Sequence, residues 1–172
     1  MLPILALVAA PVAAVLGFAA TRSDRFRVQR TATIAAPPEK IVPLLEDFHR
    51  WTEWSPWEKM EPAMKRTYGG AERGRGATYA WEGKKVGSGR MKITDTTPFR
   101  VTFDLNFEKP FKANNIGEFT LQSAGGSTTV TWSMDGQANY MSKLMGVFIN
   151  MDRMVGKDFE AGLAEIKRIA ER

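Results

Sequence analysis

Cysteine is absent from the 172 residues and histidine occurs once, which removes thiol nucleophiles, disulfides and histidine-built metal cages from the chemistry available to this chain. His49 stands beside Asp47 and Arg50 at an expected helix end, where a single imidazole serves as a cap or a surface group. No metal and no cofactor is expected. Acid–base chemistry would fall to carboxylates. Glu82, Asp95, Asp104 and Glu118 lie on expected strands, and a general base among them has to point into a pocket beside a group that shifts its pKa. Alternation puts Asp104 on an outer face, and no catalytic constellation is identified. A pocket-facing carboxylate near Tyr79 or Tyr140 would favour an enzyme. Gly69, Gly70, Gly74, Gly76, Gly83, Gly87 and Gly89 do not form the strand–turn–helix fingerprint of a phosphate loop and read as hairpin turns and bulges. Gly87 and Gly89 share a face with Met91 and Ile93, and the missing side chains there would leave room for a ligand.

The elements that must position these residues follow from periodicity. Phe26 to Ile34 is rich in β-branched and apolar residues and predicts a strand. Pro37 and Pro38 open a helix, since a missing N–H is tolerated in the first turn; Ile41, Leu44, Leu45 and Phe48 continue it at helical spacing, and Pro43 should shorten or kink it. Trp51, Trp54 and Trp57, with Pro56 between them, read as a packed cap on one end of a sheet, with a ligand clamp or a membrane-interface belt as alternatives. Strands are predicted over Lys65–Tyr68, Ala77–Glu82, Val86–Thr96, Arg100–Glu108, Lys112–Ser123 and Ser127–Asp135, separated by Gly and Pro turns. In Arg100–Glu108, Val101, Phe103, Leu105 and Phe107 share one face. From Ser142 to Ala170 the apolar residues Phe148, Met151, Val155, Phe159, Leu163 and Ile166 recur at helical spacing, giving a long amphipathic helix. That helix is the only element long enough to cover the apolar face of the sheet.

Leu2 to Ala20 contains no charged residue, and at about 1.5 Å per residue it approaches the ~30 Å hydrocarbon core of a bilayer. The expectation is a retained transmembrane anchor over residues 1–21 and one globular domain over 22–172; a cleaved signal and a core helix are the alternatives. Arg22, Arg25, Arg27 and Arg30 against Asp24 concentrate most of the net charge of +5 directly after the run. A basic collar at that place fits a single-pass protein with its domain on the cytoplasmic side and speaks against nucleic acid as a partner.

The stretch Ile34–Phe48 followed by Trp54–Trp57 resembles the opening of SRPBCC proteins, the group of START-like lipid-transfer domains, polyketide cyclases and birch-pollen allergens. Gly74–Trp81, Val86–Gly89, Phe107–Phe111, Thr128–Trp132 and Met151–Leu163 extend the similarity over nearly the whole chain from Phe26. The resemblance implies an α+β helix-grip (START-like) fold, an antiparallel curved sheet wrapped around a long C-terminal helix, here preceded by the N-terminal transmembrane helix. It also implies a cavity between sheet and helix for an apolar or amphipathic small molecule. The walls expected from the apolar faces are Trp81, Met91, Phe103, Phe107, Phe119, Trp132, Met134, Met151 and Phe159. The methionines Met134, Met141, Met145, Met151 and Met154 are either gap-filling core or a pliable wall at the pocket mouth. One fold of this kind carries binding, transport and catalysis. The expected function is therefore membrane-tethered binding or transport of a lipid or similar molecule. A cyclase- or dehydratase-like enzyme, and an interaction or sensor module with a filled cavity, remain the alternatives.

Overall fold

The computed structural model describes residues 17, 20, 21, 23, 25–137 and 150–172. Strand β1 (Arg25–Ile34) leads into helix α1 (Pro38–Leu45), a 3-10 turn (Phe48–Arg50) and two short helices, α2 (Trp51–Trp54) and α3 (Pro56–Met60). Six strands follow: β2 (Lys65–Gly70), β3 (Ala77–Glu82), β4 (Ser88–Thr97), β5 (Arg100–Lys109), β6 (Ala113–Ala124) and β7 (Ser127–Gln137). Helix α4 (Met151–Ala170) closes the chain. The strands form one antiparallel seven-stranded sheet in the order β1-β7-β6-β5-β4-β3-β2. Register shifts between Ser88/Gly89 and between Ile93/Asp95 interrupt the β4–β5 ladder, and such bulges bend the strand that carries them.

Local chemistry accounts for the element ends. Pro38 occupies the first turn of α1, Pro43 lies inside it, and the helix ends at Leu45 after 8 residues; a proline N–H is missing from the ladder there, so the expected shortening occurs. Asn150 caps α4, its side chain accepting from the Arg153 N–H at 2.9 Å. The part of the expected helix before it, residues 142–149, lies outside the described residues. Lys167 reaches the Thr33 carbonyl at 2.8 Å, and Glu171 accepts from the Ala35 N–H at 2.7 Å. At its other end α4 is held by Arg30 of β1, which donates to Glu160 at 2.7 Å and to Asp152 at 3.0 Å. Gly156 makes this approach possible, because an added Cβ would meet the Arg30 guanidinium.

The helix-grip architecture agrees with the expectation, but its preceding transmembrane helix is corrected. No helix among the described residues is long and apolar enough to cross a membrane. A span needs about 20 consecutive apolar residues, and the one described helix of 20 residues, α4, carries charges along its outer side. Before β1 the only described helical positions are Gly17, Ala20 and Thr21; the rest of the expected anchor over 1–21 lies outside the described residues. The single-pass membrane localisation and the cytoplasmic placement of the domain rested on that helix and are withdrawn with it.

Candidate ligand site

The inner face of the sheet divides into a closed half and an open half. Its closed half is built on three registered residues, Trp132, Phe119 and Val101, with Phe103 one step away. Phe159 of α4 stacks on Trp132 with ring centroids 4.0 Å apart and planes 6° apart. Gly162, one helical turn on, lets the helix sit this close, since an added Cβ would fall 2.8 Å from the Trp132 ring. Trp51 and Trp54 fill the remaining space. Trp54 lies edge-on to Phe119 at 6.0 Å and to Trp132 at 5.5 Å, and Trp51 edge-on to Phe103 at 5.4 Å. Their indole N–H groups donate to the Leu44 and Leu45 carbonyls at 2.9 and 3.1 Å, so these buried rings leave no polar group wanting a partner. The tryptophans are thus a packed plug, and where a cavity was expected there is aromatic core.

Towards the β3–β4 and β5–β6 turns the packing loosens. One row runs in register across all seven strands: Phe26, Gly136, Asn115, Leu105, Met91, Tyr79 and Tyr68. The next row out contains Phe107, Gly89 and Trp81. On β5 the change is plain, because Val101 and Phe103 are 0% and 1% exposed while Leu105 and Phe107, on the same face, are only partly buried. Phe26, Val86 and Val155 are partly buried apolar residues as well.

The nine expected wall residues therefore separate. Phe103, Phe119, Trp132 and Phe159 belong to the closed core. Phe107, half-buried, faces the open half together with Trp81 and Met91, which are themselves buried at 9% and 7% exposure, and Met134, also buried, lies between the two halves, registered with Gly117 and Val28. Met151 and Met154, on the first turn of α4, are 43% and 52% exposed. Met141 and Met145 lie outside the described residues. Gly89 leaves no room for a ligand, because the Trp81 ring already occupies the place of its side chain, 2.5 Å from an added Cβ.

Inspection of the sequence missed a buried charged group. Glu58 of α3 is 6% exposed. It accepts from the Tyr79 hydroxyl at 2.6 Å and from Arg66 Nε at 2.7 Å, and Arg66 also donates to the Met64 and Pro62 carbonyls at 2.8 and 3.0 Å. A carboxylate does stand beside Tyr79, but both its oxygens are engaged, and it offers no free base. The available signal was alternation: Arg66 and Tyr68 share the inner face of β2, so a cation there needs an anion across from it. Burial, and then the bond to Glu58, raise the pKa of Tyr79 well above the usual phenol range. A raised folded-state pKa means stability that is complete below about pH 10, the unperturbed value, and is lost as pH rises above it. Chemical denaturation should show stability falling above that pH, and Tyr79→Phe should be less stable near neutrality but have a flatter alkaline limb.

His49 donates through its backbone N–H to Asp47 at 2.9 Å and stacks on Tyr68 at 4.1 Å, at one wall of an open cleft of about 250 Å³ that includes Gly69, Glu72 and Thr78. A second cleft of about 210 Å³ is lined by Pro38, Glu39, Val42, Pro43 and Pro98. Neither lies between sheet and helix. No group of three or more potential metal ligands occurs among the described residues.

Comparison with known proteins places these features in context. The profile of the family described as polyketide cyclase / dehydrase and lipid transport matches residues 25–171. No curated protein matches the chain in sequence. Among solved structures, a protein from Chromobacterium violaceum is 14% identical with a TM-score of 0.61, covering 87% of this chain and 98% of its own. A protein from Nitrosospira multiformis is 17% identical with a TM-score of 0.61, covering 84% and 96%. DynU16, a protein of the dynemicin biosynthetic locus, is 13% identical with a TM-score of 0.56, covering 86% of this chain and 47% of its own. At these identities the likeness is one of fold.

Proposed function

Because the chain belongs to the polyketide cyclase / dehydrase and lipid transport family, we propose that it binds an apolar or amphipathic small molecule against the open half of the inner face, over Trp81, Met91, Leu105, Phe107 and Met134. The observation that carries this reading is the change along β5 from wholly buried Val101 and Phe103 to half-open Leu105 and Phe107 on one face. Apolar surface left open on the inner face of a sheet is stabilised by whatever covers it, at about 25 cal/mol per Å². Few polar groups are needed, and an apolar pocket with one or two orienting contacts is the usual form of a small-molecule site.

The test is uptake of the neutral fluorophore N-phenyl-1-naphthylamine. The native protein should bind it, and Leu105→Lys should weaken binding by more than about tenfold, since an ammonium on the apolar face has to be desolvated by the ligand. Asn106→Lys, the next residue on the opposite face, should bind as the native protein does. Absence of uptake by the native protein, or equal uptake by both variants, would refute the site. The first of those outcomes would favour a second reading, a module that acts through its surface, which draws support from the Trp132–Phe159 stack that fills the other half.

A further inference from the structure

The open half of the inner face runs out at two turns, and both turns are basic. Lys84 and Lys85 stand between β3 and β4, Lys109 is the last residue of β5, and Lys112 immediately precedes β6; all four are exposed. The two turns adjoin. Lys109 is registered with Ser88, and Gly87, at φ +68°, lies so close to the second turn that an added Cβ would meet the Lys109 carbonyl and stand 3.2 Å from Pro110. The first turn is also fixed in place, because the Glu61 carboxylate accepts from the N–H groups of Lys84, Lys85 and Val86 at 2.9, 2.8 and 3.1 Å. Both turns border the apolar surface directly. The Trp81 indole donates to the Val86 carbonyl at 3.3 Å, and Phe107 lies two residues before Lys109.

The acids at this end of the sheet are engaged elsewhere. Glu108 lies 4.0 Å from Arg90, Asp135 is joined to Arg27 at 3.1 Å, and Glu82 stands opposite Lys65 in register. The N–H bonds of the turn, and then the charge of Lys85, hold the pKa of Glu61 below its ordinary value, so Lys85 already has an anion to face. No ion pair among the described residues takes Lys84, Lys109 or Lys112. Like charges gathered in adjoining turns repel one another, and an anion brought to them relieves the repulsion. An anion at the rim also keeps its water on the outer side, so little desolvation opposes it. We infer that the ligand is an amphiphile with an anionic head, a carboxylate or a phosphate ester, whose apolar body covers the open half and whose head is held at the rim by Lys84, Lys109 and Lys112. This rests on the reading that the ligand covers the open half; it adds the charge of the ligand and the residues that select it.

Four molecules with one tail separate the possibilities: decanoate, decyl phosphate, decanol and decylamine, each titrated below its micelle concentration against the naphthylamine probe on the full chain at pH 8. At least one of the anions should displace the probe about fivefold to tenfold more tightly than the alcohol, the size expected of a few exposed charge contacts. The amine should bind weakest, and the order of the two anions tells a carboxylate head from a phosphate. In 1 M salt, where the Debye length is about 3 Å, anion and alcohol should draw together. The triple variant Lys84→Gln, Lys109→Gln and Lys112→Gln should bring the anion-to-alcohol ratio to within about twofold. Removing three exposed charges elsewhere, with Lys40→Gln, Lys92→Gln and Lys157→Gln, should leave the native ratio as it is. If the rim variant does not fold, the native ratio and its salt dependence decide alone. An alcohol that binds as tightly as both anions, an amine that binds tightest, or displacement by none of the four while the probe binds would each overturn the inference and leave the binding reading intact. So would a preference that survives loss of the rim lysines or is lost equally in the distant variant. Failure of the native protein to take up even the probe would overturn both.

Discussion

Arg66→Met is expected to lower folding stability by about 3 kcal/mol, near the low end of the ~3–5 kcal/mol seen when one partner of a buried ion pair is removed. The variant leaves the Glu58 carboxylate, whose side chain is 5% exposed, with the Tyr79 hydroxyl as its remaining partner. Arg66 itself keeps 21% of its side-chain surface, so water at its edge tempers the loss. Urea denaturation of the two proteins measures it. The double variant Glu58→Gln with Arg66→Met should recover most of the stability, because a neutral amide is far cheaper to bury than an unpaired charge. If the double variant is no better than Arg66→Met, the loss comes from the packing of the arginine stem and its two carbonyl contacts, and the ion pair is not what ties α3 to β2 and β3.

Phe159→Ala is the second large effect, with an expected cost of ~3–5 kcal/mol. Phe159 is 2% exposed and stacked on Trp132, and Trp132 is itself surrounded by the rings of Trp51, Trp54, Trp57 and Phe119. Such a wall has no room to collapse into the hole. A loss of this size consumes much of the ~5–15 kcal/mol by which domains of ordinary size are stable. Thermal unfolding should shift sharply downward, with no gain in probe uptake. A mild loss of stability together with stronger uptake would mean that Phe159 borders a ligand space, and the boundary between closed and open halves would have to be moved towards α4.

The fold was legible because its signals are local. Alternation in Arg100–Glu108 and the helical spacing of Val155, Phe159, Leu163 and Ile166 each specify a buried face without reference to the rest of the chain, and the observed β5 and α4 carry those faces. The seam between the two halves of the inner face was not legible. Phe103 and Phe107 have the same residue type and the same phase, and only the placement of Trp51 and Trp54, which arrive from a proline-interrupted segment, makes one core and the other half-open. Glu58 was hidden for the same reason: its partners lie 8 and 21 positions away, and no periodicity links a short helix to the second and third strands. The apolar run before β1 shows the opposite hazard. Hydropathy alone suggested a span, and no described helix provides one.

The pairing of β1 with β7 bears on how the chain is made. Arg27 and Asp135 are joined at 3.1 Å although they stand 108 positions apart, whereas each strand from β2 to β7 pairs with its neighbour in sequence. The meander can therefore assemble by successive hairpin closures of small entropic cost, while the strand that leaves the ribosome before the others must wait for the meander to finish. During that interval the free edge of β7 is a template for any β1 in the correct register, including that of a second nascent chain. Crowded synthesis on one messenger thus favours exchange of the first strand between copies, and the speed with which α4 docks on β1 governs how often a chain completes its own sheet.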